Sequence, residues 1–366
     1  MSRTGKSTRE TPACYAMVHA GLEPVAADEI TRELGGDVKK AEKGLVVFKV
    51  DEITPALLEL RTVEDVFLLA WGTDSLTYRA EDLKQIKTWT EKQADWTHLF
   101  GLHHAIRAKP KGKPTYRLVT QMGGQHGYRR ADASKAFKQG VAQFIPPSWE
   151  PAEDNTFLEV WLTIRGRMAT CGVRLTDKSM RHKPYKVEHM PASLRPTMAA
   201  AMVRLAGAGP GQVMLDPMCG TGTIIAEQII VAKQRKAGRT ETWGGDLEMN
   251  MLRACASNLR HVGPAVVAHW DARRLPIATA SVDRIVSNPP FGKQLATPEE
   301  IGPLYKAALR EYHRVLKPGG KAVFLVMEQD ALRDAIKGYQ WIPQRQLGVE
   351  VLGQDAVISV WQKAGE

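Results

Sequence analysis

From Pro196 onward the chain alternates short apolar strands with helices, and that β–α rhythm permits few architectures. Strand segments fall at Val213–Leu215, Thr242–Gly244, Val266–His269, Arg284–Ser287 and Lys321–Val326, with helical segments between them. Strands bridged by helices pair in parallel and are covered on both faces, so the pattern predicts a doubly wound α/β sheet. Trp341 to Trp361 adds two strands joined at Gly353-Gln354-Asp355, an antiparallel hairpin that brings the sheet to seven strands. In such sheets ligands bind beyond the carboxyl ends of the strands, where strand order reverses. Side chains just past each strand end are therefore candidates for a site.

The first strand runs into Asp216-Pro217-Met218-Cys219-Gly220-Thr221-Gly222-Thr223, a glycine loop opening a helix near Thr223. Glycine lets the backbone approach a ligand closely, and the helix start supplies free N–H groups. The spacing is neither the GxGxxG of dinucleotide enzymes nor a P-loop, since no Walker lysine follows. It suits a ligand with an amino-acid moiety: Asp216 facing an ammonium, the backbone facing carboxylate and adenosine. Asp246 ends the second strand, where an acid accepts both hydroxyls of a ribose. Asp271 ends the third and is placed to accept an adenine amine. Each acid alone also reads as a helix cap. Three at three successive strand ends point to one pocket.

Asn288-Pro289-Pro290-Phe291 follows the fourth strand on the same edge. Proline has no N–H, so the local hydrogen-bonding groups are nearly all acceptors. The Asn288 side-chain oxygen and the Pro289 carbonyl can hold both hydrogens of one planar NH2 group and localise its lone pair on nitrogen. Phe291 offers a flat face for a base taken out of its stack. These residues imply transfer of a small group to an exocyclic amine.

The front half has a different character. A length of 366 residues predicts two or three domains. The net charge of +10 is concentrated: residues 101–190 hold 16 Lys/Arg against 7 Asp/Glu. Tyr116, Tyr128, Phe137 and Tyr185 are interleaved, and the combination predicts a phosphate-tracking surface. Its candidates are Arg129, Arg130, Lys135, Lys138, Arg174, Arg181 and Lys183. The first segment reads as strand (Cys14–His19), helix (Val25–Leu34), strand (Gly44–Val50), helix (Thr54–Leu60) and strand (Val66–Trp71). The second reads as helix (Asp82–Phe100), strand (Thr115–Thr120), helix (Asp132–Phe144) and a hairpin of Thr156–Ile164 with Met168–Leu175. Residues 178–195 read as a basic connector. There is no long apolar run and the first ten residues are polar, which argues against a membrane span and against secretion. Four separated cysteines suit a reducing cytoplasm, and His98, His103 and His104 lack acidic or cysteine partners for a metal.

The order DPMCGTG, WGGD, WDAR, SNPPFG resembles the class I S-adenosylmethionine-dependent methyltransferases that modify exocyclic amines. With Met190-Pro191-Ala192-Ser193-Leu194-Arg195-Pro196-Thr197 before an Ala-rich helix, Gly21-Leu22-Glu23 near the start and the GGQHGYRR loop, the chain resembles the THUMP-containing tRNA guanine-N2 methyltransferases. The resemblance implies a ferredoxin-like domain (1–72), a THUMP RNA-binding domain (73–177), a linker (178–195) and a Rossmann-like catalytic domain (196–366). It implies S-adenosyl-L-methionine as cofactor, held by Asp216, Pro217, Cys219, Gly220, Thr221, Gly222, Thr223, Asp246, Leu247, Asp271, Ala272, Asn288, Arg195 and Thr197. It also implies a cytoplasmic monomer acting without a metal, THUMP gripping the 3′ end of tRNA, and methylation of a guanosine in or beside the acceptor stem. The branch acting on position 10 usually begins its tetrad with Asp. Asn288 favours the position-6 branch. NPPF tetrads also serve adenine-N6, cytosine-N4 and glutamine-N5 methylation, and a tRNA-binding protein with a relic cofactor fold is the non-enzymatic alternative. The basic front half favours a nucleic-acid substrate, and the intact acid set favours an enzyme.

Overall fold

A computed structural model describes residues 10–107, 111–188, 190, 193–236, 238–290 and 298–365. The chain forms two compact units, one of Met1–Met17, Glu29–Leu60 and Asp65–Asp177, the other of Val18–Asp28, Arg61–Glu64 and Lys178–Glu366. The second unit thus takes two short stretches from the front of the chain.

The first unit is built on one eight-stranded sheet: β1 (Cys14–Met17), β2 (Asp37–Glu42), β3 (Leu45–Lys49), β4 (Asp65–Thr73), β5 (Thr115–Gly123), β6 (Glu150–Pro151), β7 (Leu158–Arg165) and β8 (Met168–Arg174). Its order is β2-β3-β1-β4-β8-β7-β5-β6. The two front segments, separate in sequence, therefore share a sheet through the antiparallel pairing of β4 with β8. Tyr15 stacks on Phe67 at 4.6 Å in its core. Gly172 leaves room there, because a Cβ would stand 2.6 Å from the Tyr15 ring.

Three local expectations are corrected. Asp37–Glu42 forms a strand that its charged composition concealed; it is an edge strand held by β3. The expected Asp82–Phe100 helix is two helices, α2 (Glu81–Lys92) and α3 (Trp96–Ile106), following α1 (Glu23–Leu34). The break lies at Asp95, whose carboxylate accepts the His98 N–H at 3.0 Å and so caps α3. Thr54–Leu60 holds only a 3-10 turn, Pro55–Glu59. The next helix, α4 (Arg130–Val141), begins at the GGQHGYRR loop.

The second unit runs α5 (Pro196–Ala206), β9 (Val213–Asp216), α6 (Thr223–Gln234), β10 (Glu241–Asp246), α7 (Met249–Leu259), β11 (Val266–His269), β12 (Val282–Ser287), α8 (Pro298–Val315), β13 (Leu316–Val326), α9 (Gln329–Ile336), β14 (Trp341–Val351) and β15 (Gln354–Lys363). The sheet order is β11-β10-β9-β12-β13-β15-β14. β9 pairs in parallel with β10 on one side and β12 on the other, and β15 runs antiparallel between β13 and β14. This is the expected doubly wound sheet with an antiparallel terminal hairpin, and its order reverses beside β9. Leu215, Ile285, Tyr312 and Phe324 belong to the core on one face, and Ile225, Cys255 and Leu259 to a cluster under α6 and α7. Glu227 of α6 is fully buried, and its carboxylate accepts Arg61 Nε and Nη2 at 2.9 and 2.8 Å and the Tyr185 hydroxyl at 2.6 Å. A buried carboxylate needs such partners, and three donors meet that need.

Candidate active site

The reversal of strand order opens a cavity of about 980 Å³ beyond the carboxyl ends of β9, β10, β11 and β12, entirely within the second unit. Its first wall is the loop from Asp216 to Gly222. Gly222 lies beneath this wall, off the cavity surface; its φ of +77° and the Cys255 sulfur, 2.5 Å from where a Cβ would stand, both require glycine. Pro217, Cys219, Gly220, Thr221 and Thr223 line the cavity. The loop is held from outside: the Cys219 N–H donates to the Gly245 carbonyl at 2.9 Å, and Trp270 Nε1 donates to the Pro217 carbonyl at 3.0 Å.

The three acids converge in this cavity with different environments. Asp216 is only 1% exposed, and its Oδ1 finds no hydrogen-bond partner among the described residues. Burial pushes its carboxyl well above the ordinary range, with Asp246 acting in the same direction against one backbone hydrogen bond from Met218. A buried, unsatisfied carboxylate on a cavity wall is an acceptor waiting for a cation or a donor. Asp246 accepts the Gly220 N–H at 2.8 Å on Oδ2 and the Glu248 N–H at 3.0 Å on Oδ1. Each of its oxygens keeps a further lone pair for a hydroxyl. Asp271 is held by Arg273, whose Nη2 donates to Oδ2 at 2.6 Å and whose Nε lies 2.9 Å from both oxygens. That guanidinium is the main reason its carboxyl sits below the usual range. Leu247 and Ala272 complete the wall; Leu247 is 54% exposed, an apolar surface beside the acids.

Asn288 and Pro290 line the same cavity, and the Asn288 Oδ1 is buried without a partner among the described residues. Pro289 is buried beside them, and Phe291 lies outside the described residues. The Pro290 carbonyl accepts the Tyr305 hydroxyl at 3.2 Å, which commits that acceptor to α8. An orphan acid and an orphan amide oxygen therefore face one space from adjacent strands.

Two of the expected cofactor-binding residues stand off the cavity wall. Arg195 is exposed and pairs with Glu64 at 3.4 Å, and Thr197 is buried in α5; neither lines the cavity. Conversely Met190, Ser193 and Leu194 of the connector do line it. Glu300, Pro303, Leu304 and Ala307 form the wall opposite, a helical stripe whose i, i+3, i+4, i+7 spacing was readable in the sequence.

The basic candidates divide. Arg129, Arg130, Lys135 and Lys138 are exposed in and just before α4 of the first unit. Arg174 is not a surface charge: it donates to Asp65 Oδ1 at 2.7 Å and Glu159 Oε2 at 3.0 Å and lies over the Trp161 ring at 5.3 Å. Lys183 of the second unit is also buried, its Nζ 3.7 Å from the Met180 sulfur, and Arg181 is half-buried. Three of the four interleaved aromatics serve the fold. Phe137 is core, the Tyr128 hydroxyl donates to Asp82 at 3.4 Å, and Tyr185 holds Glu227. Among the described residues no three His, Cys, Asp or Glu come together as a metal set, and no helix is long and apolar enough to cross a membrane.

Comparison with known proteins agrees with this geometry. The family model of the RMKL-like methyltransferase domain (UPF0020) matches residues 183–351. The chain is 30% identical over 331 residues to the tRNA (guanine(6)-N2)-methyltransferase of Thermus thermophilus, covering 88% of this chain and 91% of that one. It is 30% identical over 268 residues to the tRNA (guanine(6)-N(2))-methyltransferase THUMP3 of Bos taurus, covering 66% of this chain and 50% of that protein. The chain thus spans about half the length of that mammalian relative. Among solved structures it resembles TrmN from Thermus thermophilus with a TM-score of 0.77 at 25% identity, over 96% of this chain and 99% of that one.

Proposed function

Since the chain belongs to the tRNA (guanine-N2)-methyltransferase family, we propose that it methylates the exocyclic N2 of a guanosine in or near the tRNA acceptor stem, at position 6. The observation that carries this reading is the Asn288 Oδ1, buried and unpartnered among the described residues in the cavity that Asp216, Asp246 and Asp271 share. The donor set fits S-adenosyl-L-methionine: an orphan carboxylate for an ammonium, a carboxylate with free lone pairs for ribose hydroxyls, and an acid and an apolar surface for adenine. When bound, that cofactor supplies an already electrophilic methyl group.

The protein's own part is then positioning. Asn288 Oδ1 and the Pro289 carbonyl accept the two hydrogens of the guanine amine, which localises the lone pair toward the methyl group. Holding two reactants in line in this way is worth roughly 7–11 kcal/mol. Asn288 takes up no proton, because an amide is not a base near neutrality. The proton leaves to solvent after transfer. Phe291 stacks the flipped base and offsets part of the few kcal/mol of unstacking. Residues 1–72 and 73–177 act as ferredoxin-like and THUMP parts of the tRNA grip at the acceptor stem and 3′ end, with Arg129, Arg130, Lys135 and Lys138 of α4 on the phosphates. Residues 178–195 act as the linker and 196–366 as the catalytic domain, in a cytoplasmic monomer that needs no metal.

Position 6 rests on Asn288 as first residue of the tetrad and on the position-6 activity named for the Thermus relative that the chain covers almost throughout. Unmodified tRNA transcripts incubated with labelled S-adenosylmethionine, digested and mapped by mass spectrometry test it. N2-methylguanosine at position 6 is the expected product. Label at position 10, on another base or only in protein overturns the reading.

A further inference from the structure

Asn258 stands in the last turn of α7, on the face that buries Leu252, Cys255 and Leu259, at a place where an apolar side chain would be expected. It is 2% exposed. A buried amide persists only if its hydrogen bonds are met. Here they run to two distant backbone segments. Oδ1 accepts the Glu188 N–H at 2.9 Å, and Nδ2 donates to the Thr221 carbonyl at 3.0 Å and the Glu188 carbonyl at 3.4 Å. Thr221 belongs to the loop that walls the cavity, and Glu188 to the connector. Asn258 itself does not line the cavity.

Two further ties close the same seam. The Ser193 and Thr221 hydroxyls are hydrogen-bonded at 2.9 Å, and Lys186 Nζ donates to the Leu194 carbonyl. Met190, Ser193 and Leu194, which follow Glu188, supply one rim of the cavity. The amide thus ties the connector to the loop, and both contribute residues to the cavity wall.

We propose that Asn258 is a positioning residue for the methyl donor, fastening the connector at Glu188 to the loop at Thr221 so that both present one preformed wall. This rests on the reading of the cavity as the donor site. It acts through binding and not through the chemical step, so the effect falls on donor affinity. Loss of two of the three hydrogen bonds weakens donor binding by roughly ten-fold or more.

The test measures S-adenosylhomocysteine binding by calorimetry, and KM for S-adenosylmethionine against kcat, in the full chain and in two variants. Asn258→Ala removes every bond. Asn258→Asp keeps the size and the acceptor for Glu188 but cannot donate to either carbonyl, and it serves should the alanine variant fail to fold. Circular dichroism identifies the folded variants. The expected result is a KM and Kd raised roughly ten-fold with kcat at saturating donor within about three-fold of wild type. A folded variant that binds S-adenosylhomocysteine as tightly as wild type overturns the inference, as does a fall in kcat with KM unchanged. Wild-type protein that binds no S-adenosylhomocysteine overturns the reading of the cavity and the inference with it.

Discussion

Asp216→Asn is the perturbation that most directly probes the cavity, because it should stabilise the free protein while crippling ligand binding. In the free protein the carboxylate is 1% exposed, its Oδ1 has no partner among the described residues, and Asp246 repels it. Leaving a buried polar group unsatisfied costs about 1–3 kcal/mol, more when it is charged. Asparagine has the same shape and no charge, so relief of about 1 kcal/mol raises the melting temperature by about 2–4 °C for a unit of this size. The sign with pH follows from a carboxyl raised above its ordinary 3.8 in the fold. Such a group favours the fold while protonated and loses that contribution as pH rises through its folded value. The margin by which the asparagine variant exceeds wild type therefore widens from acid toward neutral pH. For the ligand, losing a buried partner of an ammonium costs about 2–5 kcal/mol, or roughly 30- to 5,000-fold in Kd. Thermal unfolding without ligand and calorimetry with S-adenosylhomocysteine measure both arms. Methylthioadenosine, which lacks the amino-acid part, is the control and should bind the variant as it binds wild type. A variant less stable than wild type at neutral pH would refute the reasoning, as would equal losses for the two ligands.

Other outcomes follow from the same geometry. Tyr305→Phe frees the Pro290 carbonyl that now accepts the tyrosine hydroxyl; a net bond of about 0.5–1.5 kcal/mol predicts kcat lowered by roughly two- to twelve-fold, with KM for the donor unchanged in steady-state assays. Lys186 is pushed down to about 8 from 10.5 by burial, which outweighs the opposing pull of Glu227. A depressed amine adds stability as pH rises from about 8 to 10.5, and Lys186→Met should abolish that rise in denaturant melts across this window. Replacing Arg129, Arg130, Lys135 and Lys138 by Gln should lower the salt slope of tRNA binding by up to about four in filter-binding titrations, if each meets a phosphate. Arg174→Ala should instead cost about 3–5 kcal/mol of stability by stranding Asp65 and Glu159, with the salt slope intact.

The second unit was legible because its signals are local. Each acid lies within a few residues of the apolar strand that positions it, and the Gly220 and Gly222 turn directly follows Asp216. Where partners are distant, sequence reading failed. The connector reads as a basic tether, yet Met190, Ser193 and Leu194 wall the cavity, because their fastenings come from Thr221 and Asn258. Charge counting placed Arg174 on the surface, although the hairpin register, with Val160 facing Val173, brings Glu159 beside it. Spacing near basic residues says nothing of whether an aromatic ring faces inward, as Phe137 does. β2 escaped because an edge strand held by one neighbour needs no alternating apolar face.

The buried Glu227 has a bearing on how this protein can be cut. Its guanidinium partner, Arg61, lies 166 residues earlier in the chain, within one of the two short stretches that count with the second unit. A fragment starting at the connector would carry Glu227 and Tyr185 and lose the Arg61 guanidinium that is hydrogen-bonded to this buried carboxylate, at a cost of about 3–5 kcal/mol. The second unit is thus not a portable module in the sense its contiguous motifs suggest. Domain-swap chimeras that graft residues 178–366 onto a different front half would need to import an arginine at this place or replace Glu227 by an apolar residue.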